Sequence, residues 1–162
     1  MPADGIQARL RAARRLISFI VIKTTAFTND DEVAALVQAF ETAKIPAADF
    51  SHRAHIAVAL SYLERLPADD ALARMRQSIV AFARHHGVNH LYHETLTTFW
   101  MRLLGHLSAL YRVNLPLWRR INLIVERWGN RTPVDAHFSP ELIGSAAARE
   151  RWIEPDRLPL PF

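Results

Sequence analysis

The sequence of 162 residues contains no cysteine. This absence excludes a disulfide framework, a thiolate metal site, an iron–sulfur cluster and a cysteine nucleophile. Glycine is scarce, with five residues, and neither a P-loop nor a dinucleotide-binding fingerprint is present. No G-x-S-x-G elbow exposes a serine nucleophile either. Any metal ion bound by this chain must therefore be held by nitrogen or oxygen atoms.

Lysine is also rare, and the net charge of +4 is unevenly placed. Residues 1–28 carry five basic and one acidic side chain, whereas the remainder holds 15 of each. Because no recognised motif accompanies the basic segment, we expect no nucleic-acid partner. The apolar run at 16–22 is too short to span a bilayer, so we expect no membrane partner.

The basic segment 1–28 allows three interpretations. We prefer a helix that caps the fold or joins two copies into a homodimer, in a cytoplasmic protein. A targeting segment and an upstream start-site artefact both remain open, because an arginine-rich stretch before a short apolar run is common to all three.

Half of the residues are hydrophobic, and their spacing is helical rather than alternating. We therefore predict an all-α fold, a single compact bundle of about six helices with an irregular proline-rich tail. The domain comprises the basic helix at 1–28, a helical core at 29–130, and a tail at 131–162 packed on the bundle. The predicted helices span 5–23, 30–44, 49–66, 69–86, 89–112, 115–128 and 140–151, and we expect the helix at 89–112 to be central because it is apolar nearly all round.

Two short segments carry histidine at helical spacing. His52 and His55 are three positions apart, so on a helix they lie one turn apart on one face. His90 and His93 repeat this spacing, and Glu94 follows His90 by four positions. If the predicted helices at 49–66, 69–86 and 89–112 run up, down and up, both segments lie at one pole of the bundle.

Helical bundles build metal sites from side chains on facing helices. We predict that His52, His55, His93 and Glu94 bind a divalent ion, iron or zinc before manganese or copper. Further candidate ligands are His90 and His86. His86 is at the C-terminal end of the predicted helix at 69–86, which reaches the same pole. Tyr92 and Thr97 are expected to support the ligands, and His93 and Glu94 are the predicted catalytic groups.

Other interpretations of these residues remain open. His52 and His55 continue an apolar stripe and are also consistent with core histidines. A carboxylate at Glu94 needs compensation from a helix N-terminus, an arginine or a metal. On a continuous helix His93 and Glu94 point about 100° apart, so both reach one ion only from the edge of the face. Ser51 is expected to be an N-cap.

The two histidine segments together resemble a group of uncharacterised bacterial all-helical proteins. Residues 50–55 supply an F-x-H-x-x-H pattern and residues 92–95 supply Y-H-E-T, within a region of likeness at about 49–100 and again at 152–156. The resemblance implies that the two segments form one site, and it implies no reaction.

These observations predict a small metal-dependent enzyme that acts on a small-molecule substrate. Zinc would favour hydrolysis, and iron would favour oxygen chemistry. One alternative is a non-catalytic helical module that binds a protein through the apolar stripe at 16–22. The other is a metal-free enzyme that uses His93 and Glu94 as an acid–base dyad.

Overall fold

A computed structural model of the chain describes residues 26–111 and 114–162. The predicted helix at 5–23 and the apolar stripe at 16–22 lie outside the described residues. Within them the fold is an all-α bundle without strands, as the spacing predicts. Its helices are α1 (Asp30–Glu41), α2 (His52–Arg65), α3 (Ala68–His85), α4 (Glu94–Leu110), α5 (Leu117–Trp128), α6 (Thr132–His137), α7 (Pro140–Ile143) and α8 (Ala146–Glu150).

The early helices begin and end near the predicted positions because local signals set their limits. Asn29 caps α1 by accepting a hydrogen bond from the backbone N–H of Glu32. Ser51 caps α2 in the same way, as predicted, through the N–H of Ala54. Helix α1 ends earlier than predicted because Ala43 adopts a positive φ of 50°, the left-handed conformation that closes many helices.

The predicted helix at 89–112 is wrong at its start. A 3-10 turn occupies Asn89–Leu91, the chain is extended at Tyr92 and His93, and α4 begins at Glu94. His93 is the N-cap of α4, since its backbone is extended and its side chain accepts a hydrogen bond from the N–H of Leu96. His90, His93 and Glu94 therefore do not share a helical face.

Helix α2 is also central in the bundle. It packs against α1, α3, α4 and α5, and it buries a continuous run from Ile56 to Tyr62. Helix α4 packs against α2, α3 and α8 and keeps Arg102 exposed, with its guanidinium over the ring of Trp152. The small alanines of α2 allow close approach on all sides, which an apolar pattern alone does not reveal.

The C-terminal region lies against the bundle. The predicted helix at 140–151 is split in two, because Gly144 ends α7 and Ser145 caps α8. Trp152, Leu160 and Phe162 pack against the hydrophobic core. This region supplies the carbonyl oxygen of Ile143 and the side chain of Arg149 in α8, and both bind residues next to or in the candidate site.

Among the described residues, no helix combines the length and apolar character needed to cross a membrane.

Candidate functional site

A cavity of about 280 Å³ lies between α2, α3, α4 and the 3-10 turn before α4. Its apolar wall consists of side chains from all three helices: Ile56, Ala59, Met75, Ile79, Leu96, Met101 and Leu104. Its polar groups, apart from the indole N–H of Trp100, are those of five residues singled out by sequence: His52, His55, Tyr92, His93 and Thr97. Trp100 and the exposed Leu91 complete the lining.

His55 is a neutral imidazole with one nitrogen left for the cavity. Its Nδ1–H donates to the carbonyl oxygen of Ser51 at 2.9 Å, and its ring stacks on Phe50 with centroids 4.0 Å apart. Burial lowers the pKa of His55 to about 4. Since Nδ1 carries the proton, Nε2 presents a lone pair, and Nε2 has no hydrogen-bond partner among the described residues.

His52 lies one turn before His55, at the solvent-accessible mouth of the cavity. The edge of its ring meets Trp100 with centroids 4.6 Å apart. Partial burial lowers the pKa of His52, so this imidazole is also neutral at pH 7. Neither of its nitrogens has a hydrogen-bond partner in the described part of the chain.

His93 differs from these two histidines because both of its ring nitrogens are engaged. Nε2–H donates to the carbonyl oxygen of Ile143 in α7 at 2.8 Å, and Nδ1 accepts from the N–H of Leu96 at 3.3 Å. The residue as a whole is 8% exposed. The His93 ring therefore joins two parts of the fold. Neither of its nitrogens is left unpaired for the predicted role of metal ligand or catalytic group.

The negative charge of Glu94 is compensated by an arginine, which is one of the three alternatives that the sequence left open. Arg76 of α3 donates to Oε1 through both Nε and Nη2, while Tyr92 and Thr98 donate through their hydroxyl groups. Burial alone would raise the pKa of Glu94, but these hydrogen bonds hold it below its ordinary value. The carboxylate does not line the cavity, so the structure separates Glu94 from His52 and His55.

Tyr92 and Thr97 lie in the cavity wall beside His93. The Tyr92 hydroxyl donates to Oε2 of Glu94 at 2.5 Å, and burial together with this bond raises the pKa of Tyr92. The Thr97 hydroxyl donates to the backbone carbonyl of His93 at 3.0 Å. Both hydroxyl groups thus donate their hydrogen atom within the protein.

The two further candidate ligands lie outside the cavity. His90 is exposed, and its carbonyl oxygen accepts from Arg149. His86 packs against Phe82 with ring centroids 4.5 Å apart, and its buried Nε2 has no partner among the described residues.

The predicted ligands therefore do not form one set. Among the described residues, no three side chains of histidine, aspartate or glutamate are placed to hold an ion. His52 and His55 share a face of α2 as predicted. His93 and Glu94 do not join them in one ligand set, because His93 is an N-cap and Glu94 is paired with Arg76. The difference from the predicted geometry arises at the helix start, where a histidine cap replaced a continuous helix.

The sequence interpretation also missed residues of the site. Arg76 gave no signal, because nothing in its spacing links it to a carboxylate 18 positions away. Trp100 gave a usable one, since it follows His93 by seven positions and so lies near the same face of α4.

Comparison of the chain with protein-family models, with curated proteins and with solved structures gives no match.

Proposed function

We propose that the protein binds a small, largely apolar molecule in the cavity between α2, α3 and α4, oriented by His55. The observation that carries this proposal is an imidazole with an unpartnered Nε2 in a largely apolar cavity. A ligand that donates to this nitrogen and fills the cavity would gain a hydrogen bond in apolar surroundings, where such bonds are strong. Apolar pockets with a few placed polar groups are typical of ligand sites.

The size of the cavity limits the ligand. A volume of 280 Å³, filled at the packing density of a protein interior, accepts about ten to fifteen non-hydrogen atoms. The lining includes the exposed side chains of Leu91 and His52, so the cavity reaches solvent on this side.

The proposed role of His55 is to accept a hydrogen bond. With a pKa of about 4 it is deprotonated at pH 7, yet it is a weak base there. Orientation of the ligand is therefore better supported than proton abstraction. The predicted His93–Glu94 dyad has less support, because the two side chains bond to other groups.

Filling the cavity tests the proposal. Ala59 lies in the lining and is 2% exposed, so Ala59→Leu adds three carbon atoms inside it. Saturation-transfer NMR with 2-methylnaphthalene, cyclohexanol and 2-naphthol should show binding to the wild type, weakened at least tenfold in Ala59→Leu. Ala34→Leu, at an exposed position of α1, is the matched control and should bind as the wild type does. Equal binding by all three proteins would contradict the proposal.

A metal-dependent enzyme is the second candidate, with iron or zinc at His52 and His55. It is favoured by two neutral imidazoles, one turn apart, that have no partners among the described residues. Protons do not compete for such nitrogens at pH 7. Water or substrate would complete the coordination, since two side chains leave positions open.

Elemental analysis of the purified protein tests this candidate beside a His52→Ala/His55→Ala variant. Near-stoichiometric metal that is lost in the variant, and kept in Glu94→Gln and His106→Ala, would support a two-histidine site. Protein that is metal-free and also refuses Fe²⁺, Mn²⁺, Cu²⁺ and Zn²⁺ would contradict it.

A further inference from the structure

The hydroxyl groups in the cavity wall can only accept hydrogen bonds from a ligand. The hydrogen of Tyr92 is committed to Glu94, and that of Thr97 to the carbonyl of His93. A hydroxyl oxygen that has donated its hydrogen still offers lone pairs. Both residues line the cavity, so a ligand that contacts either hydroxyl meets its oxygen as an acceptor.

The histidines inside the cavity add to this bias. His55 directs the lone pair of Nε2 away from its bond to Ser51. His93 offers nothing, because it donates to Ile143 and accepts from Leu96. The inner polar groups thus comprise three acceptors, whereas the donors of the lining are those of His52 at the mouth and the indole Nε1–H of Trp100, whose ring meets that of His52.

Formal charge is also missing from the lining. Within residues 26–111 and 114–162, no aspartate, glutamate, lysine or arginine lines the cavity. The carboxylate of Glu94, which accepts from the Tyr92 hydroxyl, is bonded to Arg76 and is not part of the lining. An ionised ligand would lose its hydration here without gaining an opposite charge.

We propose that the cavity selects an uncharged molecule with a hydroxyl group on an apolar body, the hydroxyl donating to the acceptors of His55, Tyr92 and Thr97. This inference deepens the proposed function and rests on it. A ligand without a donor would leave these acceptors unpaired, which is the condition under which binding sites discriminate most strongly.

Four probes of nearly equal size test the inference by titration calorimetry at pH 7. They are 2-naphthol, its methyl isostere 2-methylnaphthalene, the anion 2-naphthoate and the cation 2-naphthylmethylammonium. We expect 2-naphthol to bind at least tenfold more tightly than 2-methylnaphthalene, and both charged probes to bind more weakly than either.

Two variants test which residues cause the preference for 2-naphthol over 2-methylnaphthalene. His55→Phe keeps an aromatic ring against Phe50 but removes the acceptor, and Thr97→Val removes a second acceptor at nearly constant volume. Each should lower the ratio of affinities for 2-naphthol and 2-methylnaphthalene, with 2-methylnaphthalene bound as before. His106→Phe is the matched control, because its ring packs on Phe162 outside this cavity, and it should keep the ratio.

The outcomes separate this inference from the proposed function. Equal affinity for 2-naphthol and 2-methylnaphthalene would overturn the selection of a donor and leave the apolar site standing. Tightest binding of either charged probe would overturn it as well. Failure of all four probes to bind would overturn both proposals. Should His55→Phe not fold, the ratio in the wild type and in Thr97→Val still decides.

Discussion

At the scale of single residues, three histidines of the cavity differ in which ring atoms remain free. His93 uses both nitrogens in the fold, His55 uses one, and His52 uses neither within the described residues. A histidine acts on a ligand or an ion only through a nitrogen that the fold has left unpaired. Within the described residues, the unpaired ring nitrogens of the cavity therefore belong to His52 and His55 and not to His93.

The depressed pKa of His55 predicts a pH-dependent stability. The pKa is about 4 in the folded protein against 6.5 ordinarily, so between these values the unfolded chain binds more protons. Stability should thus be fully present above pH 6.5 and fall as the pH decreases toward 4. From pH 7 to pH 5 the free energy of unfolding should drop by about 2 kcal/mol through His55.

Urea unfolding at several pH values measures this slope. His55→Phe removes the titrating group, so its slope between pH 7 and pH 5 should be shallower than that of the wild type. His106→Phe should keep the wild-type slope. Parallel curves for wild type and His55→Phe would show that His55 is not held neutral by burial.

At the scale of elements, the start of α4 determines the shape of the site. Arg149 of α8 donates to the carbonyl oxygens of His90 and Tyr92, each at 3.0 Å, and so holds the segment before the helix. His93 then caps α4 and reaches Ile143 in α7. One histidine side chain joins two helices, and this places Tyr92 and Thr97 in the cavity wall.

Removal of this cap should destabilise the fold. His93→Ala loses the acceptor for Leu96 and the donor to Ile143, which together should cost about 2–3 kcal/mol. His93→Asn should restore roughly 1 kcal/mol, because asparagine caps well but is too short for Ile143. Chemical denaturation measures both. Ser51→Ala, which removes a cap without a second contact, should cost only about 1 kcal/mol; a cost for His93→Ala no larger than this would argue against the bond to Ile143.

At the scale of the whole molecule, the C-terminal region is part of the site although it contributes no side chain to the cavity. One of its contacts with α4 is made by Thr95, which is fully buried. The Thr95 hydroxyl donates to the carbonyl of Arg151 at 2.8 Å and accepts from the N–H of Ile153 at 3.2 Å. The tail is thus tied to the first turn of α4, directly beside the cap.

Thr95→Val tests this connection with little change in volume. Both backbone groups would lose their partner, so the free energy of unfolding should fall by about 1–3 kcal/mol. Hydrogen exchange of the Ile153 amide should accelerate with it. Thr132→Val, at an exposed position that starts α6, should change neither quantity. Unchanged exchange at Ile153 in Thr95→Val would contradict the proposed link.

The sequence by itself determined the features that depend on near neighbours. The helical spacing predicts the all-α fold, Asn29 and Ser51 mark the starts of two helices, and His52 and His55 share one face of α2. These properties follow from interactions within about four positions of the chain, which a pattern of residues records directly.

Only the tertiary structure decided which polar groups have hydrogen-bond partners within the fold and which have none. His93 pairs with Ile143 across 50 positions, and Glu94 pairs with Arg76 across 18. Such pairs depend on how helices dock, and spacing along the chain carries no record of that docking. Burial likewise holds His55 neutral, because desolvation is a property of the assembled core and not of the residue.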